Sequence, residues 1–186
     1  MNLFLWGALP YIAFTFLIVG TLVRFFYFER NWTTKSSEFL EKKQLRIANP
    51  LFHFGLLCVI GGHVVGVLIP KTWTAAIGIN DHMYHQGALY MGAVAGIIFI
   101  VGFLLLMKRR FTVPAMKVNT SGLDKWLYLF LTLAIFSGMA GTLLNASGFF
   151  DYRVSIGPWF RSLISFMPDP SLMEGVPFMF KFHMLA

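Results

Sequence analysis

Four stretches of the chain carry no formal charge: Met1 to Val23, Ile47 to Pro70, His82 to Met107 and Trp126 to Phe150. A helix rises 1.5 Å per residue, so about 20 apolar residues cross the ~30 Å hydrocarbon layer of a bilayer. Each stretch is long enough, and each predicts a transmembrane helix. A fifth run begins near Val176 and reads VPFMFKFHMLA. It is too short to cross, so the expectation is a fifth helix truncated at the carboxyl terminus. The expected fold is all-α: an integral membrane helical bundle of five transmembrane helices, one domain over residues 1–186 with no internal repeat.

A different periodicity occupies the segment between the fourth and fifth runs. Ile156, Trp159, Phe160, Leu163, Ile164 and Met167 recur on one helical face, with Arg161 and Ser162 opposite. Pro158 stands near its start and Pro168 and Pro170 near its end. This predicts a short helix lying in the outer interface with its apolar face towards lipid. Within the spans, Gly92 and Gly96, like Gly138 and Thr142, have the spacing that lets helix backbones approach closely. Gly55, Gly61, Gly62 and Gly66 cluster around two histidines, as a flat macrocycle beside its ligand would require.

Composition agrees with lipid as the main solvent. Hydrophobic residues make up 57% of the chain and charged ones 12%, against roughly a quarter in soluble domains. The mean hydropathy is +0.68. The first run lacks a basic leader and is too long for a signal core, so it reads as a retained helix. Cys58, the single cysteine, reads as a small buried apolar side chain.

Charge supplies the orientation. Arg24, Arg30, Lys35, Lys42, Lys43 and Arg46 follow the first span, and Lys108, Arg109, Arg110, Lys117 and Lys125 follow the third. The other loops hold Lys71, Arg153 and Arg161. Basic loops remain in the cytoplasm, which puts the amino terminus outside and makes this a multi-pass protein of the cell membrane. The excess of +7 charges is thus a topological signal and not a nucleic-acid footprint. Its expected counter-charges are anionic lipid and an acidic cytoplasmic partner.

Polar groups inside a bilayer are costly and tend to be functional. His53 and His63 lie in the second span, His183 in the fifth, and His82 and His85 at the outer mouth of the third. His63 precedes Pro70 by the same seven residues that separate His183 from Val176. Both therefore lie roughly 10 Å below the outer boundary. Two imidazoles at one depth on neighbouring helices can ligate a haem b iron from both faces. Zinc is disfavoured, because no cysteine or carboxylate shares that depth. His53 lies ~15 Å further towards the cytoplasm, and its expected partner is a histidine beyond Ala186. Lys108, Arg109 and Arg110 would be near an inner haem, where guanidinium groups can grip propionates.

Three segments resemble one family. NPLFHFGLLCVIGGHVVG is similar to the histidine-bearing second helix of the gamma subunit of respiratory nitrate reductase. FLLLMKRRFTVPAMKVNTSGLD resembles its third-helix exit and following loop, and FMFKFHML the start of its fifth helix. The resemblance implies a cytochrome b subunit with two haems, the outer ligated by His63 and His183, the inner by His53 and a missing fifth-helix histidine. It implies quinol oxidation near the outer haem, releasing two protons outside. Electrons would pass inward to an iron–sulfur beta subunit and on to a molybdenum-containing alpha subunit that reduces nitrate. Some relatives place a lysine at the outer start of the third helix for the quinol, but here the segment reads DHMYHQG. His85, with Tyr84 and His82 as neighbours, is the expected substitute, since imidazole exchanges protons near neutral pH. Two rivals share part of this pattern. One is a related cytochrome serving a heterodisulfide or sulfite reduction complex; the other is a haem-free transporter or scaffold. Against the latter, the chain has no inverted repeat and no intramembrane acid.

Overall fold

Helix punctuation falls where the charged and small polar residues fall. The computed structural model describes residues 2–27 and 40–186, so Arg30 and Lys35 of the first basic loop lie outside the described residues. Among the described residues four helices are long and apolar enough to span: α1 (Phe4–Tyr27), α2 (Lys43–Leu68), α4 (Asp81–Thr112) and α6 (Gly122–Leu144). Short helices α3 (Lys71–Ala76) and α5 (Pro114–Val118) turn the chain between them, and α7 (Ile156–Ile164) and α8 (Phe178–Leu185) follow. Asn80 caps α4 by accepting from the Met83 amide at 2.8 Å. Ser121 and Asp124 form a reciprocal capping box on α6, each satisfying an amide that the first turn leaves unpaired. Where a fifth span is expected there is α8, eight residues long.

Close approach of α2 and α4 builds the centre of the bundle. A Cβ on Gly55 would lie 2.5 Å from the Phe99 amide nitrogen, and one on Gly102 would collide with the backbone of Phe52. The two glycines face each other's phenylalanines reciprocally, and the Phe52 and Phe99 rings meet at 5.0 Å. In lipid, such van der Waals contact drives helix association, because apolar burial by itself gains nothing. Phe99, Phe103 and Ile135 extend this core to α6, and α8 packs on α6. Large apolar side chains such as Phe16 and Leu57 face outward, as a bilayer demands. Cys58 is also exposed, contrary to its expected burial. The apolarity of a cysteine in a span does not say which side of the helix it occupies.

Each end of the bundle is tied by charges. At the basic end, buried Arg109 donates from Nε to Glu41 Oε2 at 2.9 Å and from Nη2 to the Glu41 carbonyl at 2.6 Å. Arg110 donates to Asp124 at 2.9 Å. At the far end, Lys71 bridges Asp81 at 2.8 Å and Asp151 at 3.0 Å. Those two partners hold the ammonium pKa above its ordinary value. Trp6, Ile156, Trp159, Leu163, Met173 and Val176 form a separate core there. The Trp159 indole donates to the Trp6 carbonyl at 2.8 Å, and Tyr11 donates to the Leu163 carbonyl at 2.9 Å. The amphipathic segment is therefore a helix; Ile156, Trp159 and Leu163 of its apolar face cover Trp6 and Met173 of the same chain, while Ile164 and Met167 stay exposed.

Candidate functional site

His63 ends the regular part of α2; a single π turn, Val64–Leu68, follows it. Such turns occur often beside functional groups because they rotate the side chains that flank them. The His63 Nδ1 donates to the Val59 carbonyl at 2.8 Å, and His53 Nδ1 donates to the Asn49 carbonyl at 2.9 Å. A carbonyl can only accept, so Nδ1 carries a proton in both rings, and in the neutral imidazole Nε2 is the nitrogen with the free lone pair. His183, on α8, has its Nδ1 3.2 Å from Ser137 Oγ on α6. Ser137 Oγ also donates to the Ala134 carbonyl at 3.2 Å.

The structure brings His63 and His183 together, with ring centroids 5.9 Å apart and planes inclined by 38°. A metal with ~2 Å bonds to one nitrogen of each ring would separate the centroids by roughly 6 Å. The pair could therefore supply two imidazoles to an iron, the ligand number that a haem leaves to the protein. Among the described residues no three His, Cys, Asp or Glu side chains converge to hold a metal without a macrocycle. Gly61 and Gly62, beside His63, face open space. Gly55 and Gly66 do not share that role: the first meets Phe99, and the second faces the rings of Tyr152 and Tyr84.

His53 is not brought beside another histidine; its ring edge rests on Phe52 at 5.4 Å. His85 Nε2 donates to the Ala146 carbonyl at 3.2 Å, and its ring packs over Gly148, whose φ of +73° suits glycine. His82 is exposed. The Tyr84 hydroxyl faces Gly66, one turn from His63, and the Arg153 guanidinium lies over its ring at 3.7 Å. Lys108 is exposed, whereas Arg109 and Arg110 are engaged by Glu41 and Asp124.

Four residues at this end escaped sequence reasoning. Ser137 and Gly138 receive the His183 ring: a Cβ on Gly138 would lie 2.8 Å from His183 Cε1. Tyr152 and Arg153 close over Tyr84, and burial pushes the Tyr152 hydroxyl well above its ordinary range. Buried Arg153 donates to Thr74 Oγ1 at 2.8 Å. Only the Gly138–Thr142 spacing gave any signal, and it reads equally as ordinary helix packing.

Fold and site together define a multi-pass helical protein of the cell membrane that pairs two histidines from different helices within the bundle. Residues 2–186 match the family model described as nitrate reductase gamma subunit. The chain is 47% identical to the nitrate reductase gamma chain of Bacillus subtilis, over 97% of its own length and 82% of that protein. It is 27% identical to the respiratory nitrate reductase 1 gamma chain of Escherichia coli, over 100% of its own length and 83% of that protein. It also shares 39% identity with the nitrate reductase-like protein NarX of Mycobacterium tuberculosis, matching 28% of that longer protein. This chain belongs to the nitrate reductase gamma subunit family.

Proposed function

We propose that this protein is a di-haem cytochrome b that oxidises quinol at its far, outer end and passes the electrons inward. The observation that carries the reading is the His63–His183 pair, two rings at 5.9 Å. Both Nδ1 atoms have oxygen partners, which leaves Nε2 of each neutral ring as the nitrogen for ligation in this reading. In this reading His63 and His183 hold the outer haem and His53 holds the inner one. Haem b, when bound, supplies one-electron transfer. The basic end faces the cytoplasm, following the distribution of lysine and arginine. There it meets the iron–sulfur beta subunit and, through it, the molybdenum-containing alpha subunit where nitrate is reduced.

His85 and Tyr84 are the residues proposed to hold the quinol. With His85 Nε2 donating to Ala146, its Nδ1 is left to accept a proton or hydrogen bond. The Tyr84 hydroxyl lies one turn outward of His63, over a glycine that leaves room for it. A quinol oxidised here would be next to the outer ligand pair and near the aqueous face that takes its protons. Arg109 and Arg110 stay proposed as cations at the inner haem's edge. Their field acts there even though each is also bonded to a carboxylate.

The test is a haem count per polypeptide with reduced-minus-oxidised spectra, on the protein in its membranes. His63→Ala and His183→Ala should each abolish the same b-type signal, and His53→Ala a different one. Folded, inserted protein without any haem would refute the reading.

A further inference from the structure

The three intramembrane histidines secure their Nδ1 atoms in two ways. His53 and His63 donate to carbonyls of their own helix four residues earlier. His183 instead crosses to α6 and meets the Ser137 hydroxyl at 3.2 Å. Ser137 is 6% exposed, so water is not at hand to replace it. Apart from Thr132, its neighbours in the groove between α6 and α8 are apolar, among them Leu133, Phe136, Ala140, Phe178 and Phe182. A hydroxyl owns one hydrogen, and here that hydrogen goes to the Ala134 carbonyl. What remains on the oxygen is acceptor capacity, and a His183 that gives Nε2 to iron carries its proton on Nδ1 and donates to that oxygen.

We infer that Ser137 is a positioning residue for the outer haem: it fixes the tautomer and orientation of His183 and tunes the potential of the iron that His183 ligates. The inference rests on the proposed function. An imidazole whose outer N–H is held by an acceptor is a better electron donor through its other nitrogen. A better donor favours the oxidised iron and lowers the potential. The path Nδ1–H to Ser137 to Ala134 also ties the ligand on α8 to the backbone of α6, the helix it packs on. Gly138, directly after Ser137, admits the ring to that position. Small side chains at both places thus serve one ligand: one by bonding it, the other by leaving room.

The experiment is a redox titration of the haems in membranes containing the complete complex, with electron paramagnetic resonance of the oxidised form. Ser137→Ala should raise the midpoint potential of the outer haem and shift its low-spin signal, leaving the inner haem unmoved. Ser137→Gly should do the same, since it too lacks the hydroxyl, and Ser137→Thr should restore both readouts. Unchanged potential and signal in Ser137→Ala would overturn the inference while leaving the haem assignment standing. So would a threonine variant shifted as far as the alanine one, because side-chain volume would then be the cause. Wild-type membranes without an outer haem would instead overturn the function on which the inference rests.

Discussion

Replacing Gly138 with alanine tests the proposed ligand geometry most directly. The added Cβ would stand 2.8 Å from His183 Cε1, whereas carbon atoms rest ~3.5–4.0 Å apart. The imidazole must therefore retreat from α6 by about 1 Å. Forcing one extra methyl into a filled space costs ~1–3 kcal/mol. The better helix propensity of alanine returns up to about 1 kcal/mol to the fold, so the protein should still insert and assemble. The ligand position receives no such compensation. If the strain falls on ligation, it lowers haem affinity by roughly 5- to 150-fold. The assay is haem bound per polypeptide at limiting haem for Gly138→Ala, with the thermal midpoint recorded alongside. Gly20→Ala is the control, because nothing lies within 4 Å of a Cβ there. Wild-type outer-haem occupancy and spectrum in Gly138→Ala would show that the ring does not lie against α6, and the geometry argued above would fall.

Three further outcomes follow from the same structure. Gly55→Ala drives a methyl into the Phe99 backbone and should lower the thermal midpoint of the purified protein, by ~1–3 kcal/mol of overpacking; a midpoint equal to that of Gly20→Ala would mean that α2 and α4 do not touch there. The Lys71 pKa is raised above 10.5 by Asp81 and then Asp151, so the stability it gives is complete below that pH and disappears as pH climbs through the raised value. Lys71→Met should accordingly flatten the alkaline limb of a stability–pH curve, and an unchanged limb would assign that loss to another group. Tyr84→Phe keeps the ring under Arg153 and should keep stability, whereas Tyr84→Leu should lose the ~0.5–2 kcal/mol of a cation–π contact. Slower quinol oxidation in Tyr84→Phe at unchanged haem content would support the hydroxyl's proposed role; unaltered kinetics would remove it from the site.

Span positions and the common depth of His63 and His183 could be read from the chain because they are local properties. Hydrophobic length and helical rise fix where along the membrane normal a residue lies, whatever its neighbours do. Rotation about each helix axis is another matter. In water the apolar side of a helix marks its buried face, but in lipid both faces are apolar. That is why Cys58 could be placed in a span yet not on its exposed side, and why Gly55 resembled the histidine-flanking glycines although it packs on Phe99. The amphipathic pattern of α7 was legible for the converse reason, since its two sides differ in polarity. What its apolar side would cover, Trp6 from the other end of the chain, was not. Arg109 and Arg110 announced a membrane edge, and only the packed loops gave them Glu41 and Asp124 as partners. The sequence by itself determined the four spans and the common depth of His63 and His183. The tertiary structure alone decided that Ser137 and Gly138 receive His183 and that Arg153 lies over Tyr84. Those contacts join residues far apart in the chain, and their existence depends on helix rotations that apolarity in a bilayer does not encode.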